Sequence, residues 1–172
     1  GLWGEVLSET NGTAVGHRET ADGNDIVTFN GGPGMINDAF RGTLDTKGGD
    51  DTISILGPMW DATLNAGSGN NSIDVNAGYS MAVYGSTVSV ADGDNTIRFA
   101  SESETMVTST LSMGDGNNTV HVSGGDGGVI NNGVVTAGDG DNTITIDGDM
   151  ARYALAGSTM TLGDGNNTIR ME

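Results

Sequence analysis

Apolar and polar residues alternate along this chain in short runs, and the runs recur. Thr52-Ile53-Ser54-Ile55, Ser72-Ile73-Asp74-Val75, Thr96-Ile97-Arg98-Phe99, Thr119-Val120-His121-Val122 and Thr143-Ile144-Thr145-Ile146 share one phase. A two-residue period predicts strands with one buried face. A second set lies upstream of these with the same alternation: Thr43-Leu44-Asp45-Thr46, Thr63-Leu64-Asn65-Ala66, Thr87-Val88-Ser89-Val90, Thr110-Leu111-Ser112-Met113 and Thr159-Met160-Thr161-Leu162. A weaker third apolar cluster appears at Ala39-Phe40, Met81–Tyr84, Met106-Val107, Val129-Ile130 and Tyr153–Ala156. Each repeat therefore carries three strands, or two strands and an irregular side. Gly and Asn interrupt every run before a helix could cover a sheet, so the expectation is parallel strands stacked coil on coil.

The second and first sets are joined by a heptad. Gly163-Asp164-Gly165-Asn166-Asn167-Thr168-Ile169 is its best-formed copy, and those starting at Gly138 and Gly114 match it. Copies starting at Ala91, Gly67, Lys47 and Ala21 diverge progressively. The constant glycine falls at 23, 49, 69, 93, 116, 140 and 165, at intervals of 26, 20, 24, 23, 24 and 25 residues. Seven turns at a period near 24 predict a solenoid. The fold class expected is all-β, a right-handed parallel β-solenoid of about seven coils with uncapped ends. Residues 1–172 form one domain, with 1–20 as a partial first coil and 21–172 holding the seven turns. Gly31-Gly32-Pro33-Gly34 and Gly124–Gly128 read as loops inserted on the third side.

Composition narrows what such a rod does. The net charge is −17, from 23 acidic and 6 basic residues. That surface repels nucleic acid and anionic lipid and attracts cations. No apolar run approaches a membrane span. There are no cysteines. The acids sit beside glycine once per repeat, which separates this chain from a disordered acidic one. Stacking repeats such a corner on every coil, and carboxylates one coil apart suit Ca²⁺, which takes six to eight oxygens. The candidate metal ligands are Asp22, Asp25, Asp50, Asp51, Asp92, Asp94, Asp115, Asp139, Asp141 and Asp164, with Asp25, Asp50 and Asp51 foremost. The alternative for the turn is ordinary Asp-Gly chemistry. For Asn71, Asn95, Asn118, Asn142 and Asn167 the expectation is a metal-free amide ladder.

The turns resemble the RTX (repeats-in-toxin) calcium-binding β-roll, whose repeat is Gly-Gly-x-Gly-x-Asp-x-hydrophobic-x. Gly163, Gly165 and Ile169 fall in that pattern's second Gly, third Gly and hydrophobic places. Asp25 and Asp51 fall in its calcium-binding Asp place, which the five later copies fill with Asn. The resemblance covers the turns and adjoining strands. It implies a parallel β-solenoid, secretion and structural calcium.

Other chemistry is sparse. His17 and His121 are far apart in sequence, Lys47 is the only lysine, and the arginines at 18, 41, 98, 152 and 170 are scattered. No nucleophile–base constellation is visible, and the expectation is a protein that is not an enzyme. Asn11 begins the one glycosylation sequon independent of the repeat. The last heptad stands close to Glu172 with no decay of the motif, while Leu2, Trp3, Val6 and Leu7 open the chain. The count from Gly165 across a junction to a second copy's Gly23 is 7 plus 23, or 30, close to one coil. This suggests head-to-tail stacking of copies, and a heterologous contact of that kind yields filaments. The functional expectation is the subunit of a secreted, calcium-stabilised extracellular or cell-surface filament or matrix fibre, with self as partner. The alternative is a repeat segment of an adhesin, or an ice- or glycan-binding module with Thr96, Thr119, Thr143 and Thr168 ordering water; a carbohydrate-active enzyme ranks below both.

Overall fold

The computed structural model describes residues 6–10, 16–31, 39–125, 128–148 and 154–172. The candidate sequon at Asn11 and the apolar Leu2 and Trp3 lie outside the described residues. The chain winds into stacked coils about 24 residues apart, and three parallel sheets run along the rod.

The first sheet holds eight strands: β1 (Val6–Thr10), β3 (Ile26–Asn30), β5 (Thr52–Leu56), β8 (Ser72–Asn76), β11 (Thr96–Ala100), β14 (Thr119–Gly124), β17 (Thr143–Gly148) and β20 (Thr168–Met171). The second holds seven: β2 (His17–Glu19), β4 (Thr43–Asp45), β7 (Thr63–Asn65), β10 (Thr87–Val90), β13 (Thr110–Met113), β16 (Val134–Ala137) and β19 (Thr159–Leu162). The third is built from two-residue strands: β6 (Met59–Trp60), β9 (Val83–Tyr84), β12 (Met106–Val107), β15 (Ile130–Asn131) and β18 (Leu155–Ala156). The weak third cluster of the sequence is thus a sheet of its own. At about 4.8 Å per strand, eight strands make a sheet roughly 34 Å long.

Register explains why the pattern holds. Val27, Ile53, Ile73, Ile97, Val120 and Ile144 pair in one inward column, and Phe29, Ile55, Val75, Phe99, Val122 and Ile146 in the next. All twelve are buried. Leu44, Leu64, Val88, Leu111 and Val135 line the opposite wall. A slip of one residue would turn a whole column outward, so burial of one face locks the register. Arg18 stands at the first place in this wall column, paired with Leu44. The second sheet therefore begins with a charged residue at a position that later coils fill with apolar ones.

Two corners are tightly specified. Between the third and second sheets the chain passes through the left-handed region once per coil, at Asp61, Gly85, Thr108, Asn132 and Gly157, with φ between 46° and 59°. Just beyond lies a serine ladder: the Ser86 Oγ accepts the Ala62 N–H, the Ser109 Oγ that of Ser86, and the Ser158 Oγ that of Gly133, each at 3.0 Å. The heptads form the corner between the second and first sheets. Among the described residues no helix is long and apolar enough to cross a membrane.

Candidate functional site: the ladder corner

The heptad corner stacks into side-chain columns. The fifth position points inward and is buried: Asp25, Asp51, Asn71, Asn95, Asn118 and Asn142 are each no more than 1% exposed. Every backbone N–H in this column donates to the Oδ1 of the next coil. The chain of bonds runs Asp25 to Asp51 (2.9 Å), Asp51 to Asn71 (3.0 Å), Asn71 to Asn95 (3.0 Å), Asn95 to Asn118 (3.3 Å), Asn118 to Asn142 (3.2 Å) and Asn142 to Asn167 (3.1 Å). Each asparagine Nδ2 also closes its own turn. That of Asn118 donates to the carbonyls of Gly114 and Gly116 at 3.2 Å, and onward to the Asn142 Oδ1 at 3.0 Å. A buried turn must satisfy its carbonyls, and a carboxamide presents both an acceptor and donors to do so. The amide ladder expected from the sequence is present.

The second and fourth positions point outward. Asp92, Asp115, Asp139 and Asp164 occupy the second position in consecutive coils, and all are exposed. The backbone N–H of each later residue donates to the Oδ1 before it, at 2.8–2.9 Å. Like charges about 4.8 Å apart repel by roughly 1 kcal/mol in water, and these N–H groups offset that. Asp22 belongs to the same column, but Gly48 and Ser68 separate it from Asp92.

In the fourth position the side chains read Asn24, Asp50, Asn70, Asp94, Asn117, Asp141, Asn166. Charge and amide alternate on every coil. Here too each N–H donates to the Oδ1 of the previous coil, at 2.7–2.8 Å throughout. Carboxylates directly opposite on neighbouring strands are destabilising, and alternation sets them two coils apart, with an amide between. This order is legible in the sequence; the signal is the comparison of one heptad position down all seven copies. The structure thus divides the ten candidate aspartates among three columns on one corner, and it does not gather them into one cluster. Among the described residues no three His, Asp or Glu side chains converge on a common point suited to a metal.

The two aspartates in the buried column differ chemically from the asparagines that follow. They alone are preceded by threonine five residues earlier: Thr20 and Thr46 stand where Ala66, Val90, Met113, Ala137 and Leu162 stand in later copies. Thr20 donates its hydroxyl to the Asp25 Oδ2 at 2.6 Å. The Thr46 hydroxyl lies near the Asp51 carboxylate and draws its pKa down, yet neither Thr46 Oγ1 nor Asp51 Oδ2 completes a hydrogen bond, although both are buried. By position in the repeat, the Asp51 Oδ2 occupies the place of an asparagine Nδ2. In the next coil the Asn71 Nδ2 at that place donates to the Gly67 and Gly69 carbonyls, which an ionised carboxylate oxygen cannot do. A buried carboxylate oxygen without a donor suits a proton or a hard cation.

Burial pushes the Asp51 carboxyl above the ordinary aspartate range, and the Asp25 and Asp50 carboxylates add to the rise. The Thr46 hydroxyl and the Asp25 N–H oppose it. Asp51 then holds its proton more tightly folded than unfolded. Its contribution to stability is present below the unfolded pKa of about 3.9 and is lost as pH rises through the folded value. Asp51→Asn is expected to remove this dependence and to supply the missing donor, with a gain of about 1 kcal/mol at neutral pH. Melting curves of both proteins from about pH 3 to pH 8 test it; a variant less stable than wild type at neutral pH would show that ionised Asp51 is needed.

The water-ordering column expected at Thr96, Thr119, Thr143 and Thr168 lies on the outward face of the first sheet. Charged groups stand beside it there: Arg98 pairs with Asp74 at 3.2 Å, and Asp147 lies 3.9 Å from His121. The fold and corner together define a parallel β-solenoid repeat protein with side-chain ladders along its turns. No known protein family matches the chain, and neither a curated protein nor a solved structure matches it.

Proposed function

We propose that this chain is a structural segment of a secreted extracellular filament or matrix fibre, stiffened by calcium at the acidic corner and extended by stacking further coils. The observation that carries the reading is the last described coil. Its Ile169 and Met171 are 46% and 63% exposed, whereas residues of the same two columns in earlier coils are buried. The side-chain ladders continue up to Asp164, Asn166 and Asn167, which present the same groups to the coil beyond. In this reading a further coil stacks on this edge, and strand hydrogen bonds, apolar columns and turn ladders continue across the contact, between copies in the filament. Calcium would neutralise the second-position carboxylates, or enter between coils where Asp25 and Asp51 meet. The reading assigns no catalysis, and glycans remain a further partner class for the outer loops.

Negative-stain electron microscopy of the purified protein, with calcium and then with excess chelator, tests both parts. Thin fibres that shorten or vanish on chelation are the expected result. Fibres indifferent to chelator would keep the stack and remove calcium from it. Single particles in both conditions would overturn the filament.

A further inference from the structure

The outward face of the second sheet differs from the rest of this acidic surface. Over five consecutive strands, β7, β10, β13, β16 and β19, none of the ten outward positions is charged. One column reads Thr63, Thr87, Thr110, Val134, Thr159 in direct register. The other reads Asn65, Ser89, Ser112, Thr136, Thr161. Eight of the ten are Thr or Ser. Threonine is common in strands for its branched Cβ, which accounts for single residues but not for the exclusion of charge. The first sheet, built from the same repeat, places Asp74, Arg98, His121, Asp147 and Arg170 on its outward face.

We propose that this face binds ice. Parallel strands set the hydroxyls about 4.8 Å apart along the rod, and alternate residues set the two columns roughly 6.7 Å apart. The result is a two-dimensional lattice of hydroxyl and methyl groups, with spacings close to those of oxygen atoms on faces of ice. The lattice is stiff. Threonine has restricted χ1, and the residues beneath, Leu64, Val88, Leu111 and Val135, are buried to within 1%. Along the second column the Thr136 hydroxyl reaches the Ser112 Oγ at 3.4 Å. Charge complementarity selects the partner. A charged side chain organises water around itself, whereas neutral hydroxyls bridge to ordered water at little cost; an uncharged face in a chain of net charge −17 suits an uncharged solid. No aromatic ring stands on these ten positions, so a stacked sugar, the other uncharged partner, lacks its usual platform. The inference goes beyond the filament reading and does not rest on it.

Thermal hysteresis and inhibition of ice recrystallisation by the full chain test the proposal. Wild type is expected to arrest ice growth. Thr110→Lys, at the centre of the lattice, is expected to lose more than half of that activity, and Thr119→Lys, on the first sheet, to retain it. Circular dichroism and melting confirm that each variant is folded, and Ser112→Lys carries the test if Thr110→Lys is not. Absence of hysteresis in wild type overturns the proposal, as does an equal or larger loss in Thr119→Lys. Retention of wild type on an insoluble polysaccharide without hysteresis would assign the face to a sugar instead.

Discussion

Gly140→Ala is expected to destabilise the fold by about 3 kcal/mol or more, with much of the protein failing to reach the native state. Gly140 has φ of 132°, a backbone region that side chains rarely enter. A Cβ built there also falls on the carbonyl oxygen of Gly116 in the preceding coil, well inside contact distance. That carbonyl cannot move away freely. The strands on either side are held by ladders, and the two turns are tied by the Gly116 N–H donating to the Asp139 carbonyl at 2.8 Å. Torsional strain and backbone overlap therefore act together, and no rotamer relieves either. The neighbouring Asp141→Ala is the comparison. It removes an exposed acceptor and is expected to cost about 1 kcal/mol or less. Urea denaturation of both variants, read by circular dichroism, measures the difference. Similar midpoints would mean that the coils can spread at this corner.

Asn118→Ala is expected to cost roughly 3–5 kcal/mol, since several buried polar groups lose their partners at once and each costs about 1–3 kcal/mol unpaired. The Asn118 Oδ1 accepts from both the Asn95 N–H and the Asn95 Nδ2, at 3.3 and 2.9 Å. Its Nδ2 serves the carbonyls of Gly114 and Gly116. Alanine supplies none of these bonds and leaves no opening for water, because the site is 1% exposed. Asn117, one residue earlier, accepts one N–H from the following coil and is exposed. Asn117→Ala is expected to lose less than about 1 kcal/mol, since water replaces its bond. Two adjacent asparagines in one heptad thus serve as each other's control. Equal losses, measured by thermal and urea unfolding, would show that the inward ladder does not hold the turn.

The same two columns show how closely composition tracks position. The inward column abandons asparagine only at Asp25 and Asp51, and only there does threonine stand five residues upstream. At Asp25 that threonine supplies a hydrogen bond to the second carboxylate oxygen. At Asp51 the bond is not completed, which makes this corner the place where a proton or cation has most to satisfy. The outward fourth position solves a different problem. Solvent satisfies spare oxygens there, so the constraint is repulsion between coils, and alternating Asn with Asp relieves it.

The sequence by itself determined the solenoid. A heptad repeated seven times, with strands of period two on either side, leaves no other way to bury one apolar face per strand, so coil period, strand phase and the asparagine ladder were all legible. These depend on local periodicity, which a linear chain displays. The existence of the third sheet was not decided at that level, because β6, β9, β12, β15 and β18 are two residues long and too short to show a period. Nor was the division of the aspartates: residues one to three apart in one heptad look equivalent in sequence, yet the turn sends Asp51 into the interior and Asp50 into solvent. The uncharged lattice on the second sheet was equally hidden. Its registered residues are 23–25 apart along the chain, as in the partners Thr63, Thr87 and Thr110, and only the stacking of coils in register brings them onto one face. Tertiary structure decided these features because direction and adjacency between coils are set by the turn and the register, and neither is a property of any single repeat.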